Sequence, residues 1–108
     1  MFVKSEKVKK EAISKGTNQE INMYGYQLAW AGKTAEAVEI FKANCDKNPE
    51  DPNTWDSLGE GYFMNGQKEE AIKSFKKCLS MNPPAGVKGN SMKYLTQMGV
   101  EMEEEVKP

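Results

Sequence analysis

Histidine and arginine are both absent from this 108-residue chain, and each absence removes a class of chemistry. Without an imidazole there is no Ser/His/Asp or Cys/His triad and no His-ligated zinc. Without a guanidinium all 15 cations are lysine, so the bidentate contacts favoured for phosphates and guanine edges cannot form. With 16 acidic residues against them the net charge is −1, and nucleic acid is not an expected partner. Long apolar runs are missing as well. No window approaches the ~18 residues of a membrane helix, and Met1 to Lys10 is charged where a signal peptide would be apolar. A membrane is therefore not an expected partner, and the cytoplasm is the default compartment. There is no glycine-rich phosphate loop and no cluster of metal ligands, so neither a cofactor nor enzymatic activity is expected.

What is present is one domain's worth of chain. At this length folding buries only roughly 60 to 68% of the surface exposed by the unfolded chain, so most of the sequence must be structured. An internal repeat supplies the structure. Shifting the sequence by 34 residues aligns Gly25 with Gly59, Gly32 with Gly66, Ala37 with Ala71, Phe41 with Phe75, and Asn48-Pro49 with Asn82-Pro83.

Each copy reads as helix, turn, helix. Thr17 followed by Glu20 makes a capping box, and Asp51, 34 residues later, precedes a proline suited to the first helical position. Gly32 and Gly66 stand where the first helices should stop, and Pro49 and Pro83 mark the ends of the second. Ile21, Tyr24 and Leu28 are spaced to face Ala37, Phe41 and Cys45 across the pair, and Gly25 and Gly59 permit close approach. Asn44 falls on the inner face and requires hydrogen-bond partners from a neighbouring helix.

The second copy contains Trp55, Leu58, Gly59, Tyr62, Ala71, Phe75 and Pro83, the spacing W-x2-L-G-x2-Y…A-x3-F…P. On these residues the chain resembles the tetratricopeptide repeat family. The resemblance implies an all-α fold, a short right-handed solenoid of helix-turn-helix units. It implies repeat units at 18–51 and 52–85, a flanking helix or remnant of a preceding repeat at 1–17, and a capping helix with an acidic tail at 86–108. The first copy departs from the pattern, with Ile21, Tyr24 and Leu28 at the Trp, Leu and Tyr positions.

The family resemblance also implies a concave groove lined by the first helices. Carried over position by position, its lining is Gln19, Asn22, Tyr26, Ala29 and Trp30, then Asn53, Asp56, Glu60, Phe63 and Met64. Asn90, Tyr94 and Gln97 join them if the last helix packs in register. Asp56 and Glu60 lie four apart and share a helical face, where a bound segment's lysine or arginine could meet both. The expected role is protein–protein interaction: a peptide segment, apolar and basic, held by Asn22, Tyr26, Trp30, Asn53, Asp56, Glu60, Phe63 and Met64. The alternative is homo-oligomerisation, or a structural appendage of a larger parent that is itself an enzyme. Tyr26 and Glu60 stand where some family members hold a carboxylate terminus with amides and cations, which argues against that ligand here.

Gly25-Tyr26-Gln27-Leu28, Phe41 with Asn44, and Trp55-Asp56-Ser57-Leu58-Gly59-Glu60 also resemble repeat segments appended to larger bacterial proteins, including exported hydrolases. On that resemblance the chain would be an excised segment whose compartment is that of its parent, the periplasm if that parent is exported. At the flanks, Val8, Ala12 and Ile13 mark a helix ending near Gly16. After Pro83-Pro84, Asn90 is expected to cap a helix from about Ser91 past Val100, with Met92, Leu95, Met98 and Met102 along one side.

Three motifs are outweighed by their surroundings. Ser74-Phe75-Lys76-Lys77 has the S-x-x-K spacing of penicillin-binding enzymes, but without companion motifs and with Phe75 on a core position. Asp46, Asn48 and Glu50 imitate a calcium loop that Asp51, Pro49 and Pro52 disrupt. Cys45 and Cys78, on successive second helices, are expected as two buried thiols, with a disulfide between them as the alternative.

Overall fold

The computed structural model describes residues 2–100, with side chains from residue 6 onward. The acidic segment 101–108, and Met102 with it, lies outside the described residues. Among the described residues there are six helices and no strand: α1 Phe2–Lys15, α2 Asn18–Trp30, α3 Thr34–Lys47, α4 Pro52–Met64, α5 Lys68–Ser80 and α6 Ala85–Gln97.

The boundaries follow from local chemistry. The capping box closes as expected: the Glu20 amide donates to Thr17 Oγ1 at 3.1 Å, and the Thr17 amide donates to Glu20 Oε1 at 3.0 Å. At the start of α4 the Asn53 amide donates to Asp51 Oδ1 at 3.0 Å, and Pro52 occupies the first turn, where its missing N–H costs nothing. Helices α2 and α4 stop at glycines with φ of +84° (Gly32) and +78° (Gly66), followed by the same closing bonds, Lys33 N to Leu28 O and Gln67 N to Tyr62 O, both 2.8 Å. Helix α6 stops in the same way, with Gly99 at +83° and Val100 N donating to Leu95 O at 2.9 Å. It therefore ends like the first helix of a pair.

Within each pair one aromatic ring lies on one glycine. A Cβ on Gly25 would stand 2.5 Å from the Phe41 ring, and one on Gly59 2.6 Å from Phe75. Gly61 gives Phe41 the same clearance from the next pair, 2.6 Å, so this ring packs on two units at once. Ile21, Ala37, Phe41, Cys45 and Leu58 are buried as expected, and Val38 and Ile40 join them. Tyr24 does not belong to this cluster. It is partly buried with Glu36 and Lys9 as charged neighbours, and Tyr26 packs edge-on against Phe41 instead, ring centroids 5.0 Å apart.

Asn44 finds the partners that its burial demands. Its amide donates to Asn18 Oδ1 at 2.9 Å and to Asn18 O at 3.2 Å. Asn48 Nδ2 donates to Asn44 Oδ1 at 2.8 Å, and Asn18 Nδ2 to Asp51 Oδ2 at 2.7 Å. This network joins α2, α3 and the start of α4. Lys47 Nζ donates to Ile13 O at 2.6 Å, satisfying a carbonyl at the end of α1.

The last helix departs from expectation. It begins at Ala85 with Pro84 at its N-cap and ends at Gln97, so Asn90 lies inside the helix and caps nothing. Proline's fixed φ starts the helix where an amide cap was expected. Each helix packs only against helices one or two places away in the chain, the quasi-one-dimensional organisation of a helical repeat. The molecule is correspondingly elongated, 54 × 25 × 17 Å. None of the described helices is long and apolar enough to cross a membrane. Both cysteines are free and buried. Cys45 Sγ contacts Thr54 O at 3.2 Å, and burial pushes its thiol up to about 11.

Candidate functional site

The 34-residue spacing places like positions of α2, α4 and α6 in two rows. Asn22, Asp56 and Asn90 form one, and Tyr26, Glu60 and Tyr94 form the other, one helical turn on. Asn90 Nδ2 donates to Asp56 Oδ2 at 2.9 Å and also to Glu60 Oε2, while Ser91 Oγ donates to Asp56 Oδ1 at 2.6 Å. On the other side the Tyr26 hydroxyl donates to Ser57 Oγ at 3.3 Å.

Asp56 and Glu60 are consequently only 5% and 9% exposed. The family resemblance implies that they line the groove. The structure places the first half of α6 over them, because one further repeat length brings Asn90 against Asp56. Burial raises both carboxyls above their ordinary range. The bonds from Ser91 and Asn90 to Asp56 and from Asn90 to Glu60, and the positive charge of Lys93, act in the opposite direction. Burial, followed by the Glu60 charge, raises the Tyr26 hydroxyl. No cation pairs with either acid: among the described residues the salt bridges are those of Lys9 to Glu6 and Glu39.

One turn before Tyr26, Asn22 carries a buried Oδ1 with no hydrogen-bond donor. An orphan acceptor on the face that also holds two buried carboxylates leaves this surface with a surplus of acceptors.

The aromatic residues divide. Trp30 is 68% exposed and stacks on Tyr26 at 5.6 Å, and Met64, at the equivalent position of α4, is 38% exposed. Exposed at equivalent ends of α2 and α4, Trp30 and Met64 make an apolar lip with the half-buried Tyr26 beside Trp30. Phe63 meets Tyr94 edge-on at 5.1 Å, and Tyr94 stacks on Phe75 at the same distance, so α6 covers part of the surface expected to be free. Ala29, expected on the groove, is buried in the core with Phe41 and Leu58. Asn53 is partly buried at the start of α4, and Gln19 and Gln97 are exposed.

Ser57 and Ser91 were not singled out as site residues from sequence. Their signal is the register itself, since Asn90-Ser91 falls 34 residues after Asp56-Ser57. On another surface, Cys45, Trp55, Leu58, Tyr62 and Ser74 line a largely apolar cavity together with Lys42 and Lys73. Ser74 is buried there, while Lys77 Nζ lies over the Trp55 ring at 5.7 Å, which accounts for the S-x-x-K spacing as packing.

Comparison with known proteins agrees with this geometry. Residues 52–85, which span α4 and α5, match the family model described as tetratricopeptide repeat. The chain is 42% identical over 53 residues to Superkiller complex protein 3 of Mus musculus and of Homo sapiens, a match covering 49% of this chain and 3% of each relative. It is 28% identical over 82 residues to Superkiller protein 3 of Saccharomyces cerevisiae, covering 76% of this chain and 6% of that protein. The chain thus spans a small fraction of the length of these relatives. No solved structure matches. A unit matched by the family model, two helix pairs flanked by α1 and α6, and neighbour-only packing support a tetratricopeptide-repeat protein; such repeats generally mediate protein–protein interaction.

Proposed function

We propose that the concave face binds an extended protein segment that brings an apolar anchor and a basic residue. The observation behind this reading is the acceptor surplus: two buried carboxylates answered by neutral donors alone, next to the unpartnered Asn22 Oδ1. A lysine ammonium brings three donors and a guanidinium five, together with a positive charge in direct contact, which the pair lacks. The Tyr26, Trp30 and Met64 lip provides the apolar half of the contact, and aromatic side chains of this kind are frequent anchors.

The carboxylates would set register and partner choice more than raw affinity. A face of two helix pairs buries an area at the low end of specific interfaces, consistent with a Kd around micromolar, about −8 kcal/mol. The name of the mouse and human relatives refers to a complex, which suits a scaffold role within a larger protein.

Selection of a random peptide display library on the purified protein tests the reading. Enriched sequences should pair a lysine or arginine with a nearby aromatic or aliphatic residue, and should bind Trp30→Ala and Glu60→Gln variants more weakly. Enrichment of peptides without a basic residue, or of peptides that bind all three proteins equally, would remove this face as the site.

A further inference from the structure

Helix α6, which covers the acidic pair, is made of two unlike halves. In the second half Leu95 is fully buried, and Tyr94 stacks on Phe75 while meeting Phe63 edge-on, so this half is held by apolar surface. The first half is held to the pair through the polar side chains of Asn90 and Ser91. Its N-cap, Pro84, makes no side-chain bond, and it contains Gly86 and Gly89, where an added Cβ would meet nothing within 4 Å. No close approach requires glycine there. Each glycine lowers the helical equilibrium roughly fivefold relative to alanine, so the half that touches the carboxylates is also the half least disposed to be helix.

We propose that the first half of α6 is a displaceable plug: Asn90 and Ser91 occupy the Asp56–Glu60 pair with neutral donors until a cationic side chain replaces them, while Tyr94 and Leu95 keep the rest of α6 docked. The proposal rests on the groove reading above and adds its regulation. Besides the pair itself, the titratable and charged groups near it are Tyr26 from α2, Cys78 from α5, and Lys93 and Tyr94 from α6. Lys93 is exposed and forms no salt bridge with either acid. An ammonium adds the attraction of an opposite charge to the hydrogen bond that an amide already gives a carboxylate, so it can outcompete an amide for this position. Loss of the two side-chain contacts releases a segment with little intrinsic helical preference, which makes exchange of occupants local and leaves the apolar half in place.

Amide hydrogen exchange by NMR on the full chain tests this, comparing residues 89–91 with residues 94–97 of the same helix. The first group should exchange faster. Gly86→Ala with Gly89→Ala should slow it by about tenfold or more, and Asn90→Ala should speed it. Butylammonium chloride, a lysine side chain without its backbone, should speed exchange of residues 89–91 beyond the effect of the same concentration of sodium chloride, and should not do so in Glu60→Gln. Equal protection of the two halves overturns the proposal, as does a butylammonium effect no larger than that of sodium. Display selection that yields no basic residue would remove the groove reading without altering these exchange results, so the two failures are distinguishable.

Discussion

Asn90 donates its side-chain amide to Asp56, the residue one repeat length before it, at 2.9 Å. The bond joins equivalent positions of successive first helices and links the stacking of the chain to its candidate site. The geometry that extends the array also covers the carboxylates by which we propose it recognises a partner.

Phe75 is fully buried, stacked on Tyr94 and seated on Gly59. Phe75→Ala should cost roughly 3 to 5 kcal/mol by leaving a cavity, a large part of the stability of a domain this small. Urea unfolding followed by circular dichroism measures it, and an unchanged midpoint would refute the packing described for α4, α5 and α6.

Gly25→Ala should destabilise by about 1 to 3 kcal/mol, because its Cβ would stand 2.5 Å from the Phe41 ring. Phe41→Leu in the same chain should recover part of the loss. Thermal melts of the two single variants and the double variant decide it: strictly additive losses would mean that the clash is not the cause.

The pH dependence follows from the direction of the Asp56 and Glu60 shifts. Burial raises both carboxyls in the folded state, so that state holds protons more tightly than the unfolded chain and their charge destabilises the fold at neutral pH. This penalty is relieved as pH falls through the raised folded-state values. Glu60→Gln removes one of the two titrations, so the stability difference between wild type and variant should move in favour of wild type from neutral to mildly acidic pH. A difference that is constant over that range would contradict the burial of Glu60.

Much of the fold was legible because its signals are local. Thr17 with Glu20, Asp51 with Pro52, and Gly32 and Gly66 each mark a helix end by chemistry within a few residues, and each marks it in the structure. The ring-on-glycine contacts followed from the 34-residue alignment of Gly25 with Gly59 and Phe41 with Phe75. The start of α6 was misplaced because Asn90 has the side chain of an N-cap, whereas Pro84 starts the helix by backbone geometry alone. Asp56 and Glu60 were identified as neighbours, but their burial depended on α6 packing in register, which no local signal specifies. The exchange of Tyr24 for Tyr26 against Phe41 is likewise a matter of helix rotation that apolar spacing leaves open.

Trp30 is exposed and stacks only on Tyr26 and its surroundings at the open lip, so Trp30→Ala should change stability by less than about 0.5 kcal/mol. The same substitution should weaken binding of a display-selected peptide by about 1 to 2 kcal/mol if the lip is an anchor site. Isothermal titration with unfolding measurements on the same samples separates the two effects, and a loss of stability equal to the loss of binding would assign Trp30 to the fold.

The central claim is that the Asp56–Glu60 pair recognises a basic residue of the bound segment. A double-mutant cycle measures this directly, using a selected peptide and its lysine-to-norleucine counterpart against wild type and Glu60→Gln by isothermal titration. The account predicts a coupling of at least about 1 kcal/mol between the peptide's basic residue and Glu60. A coupling of zero, with both peptides binding both proteins in the same ratio, would contradict it.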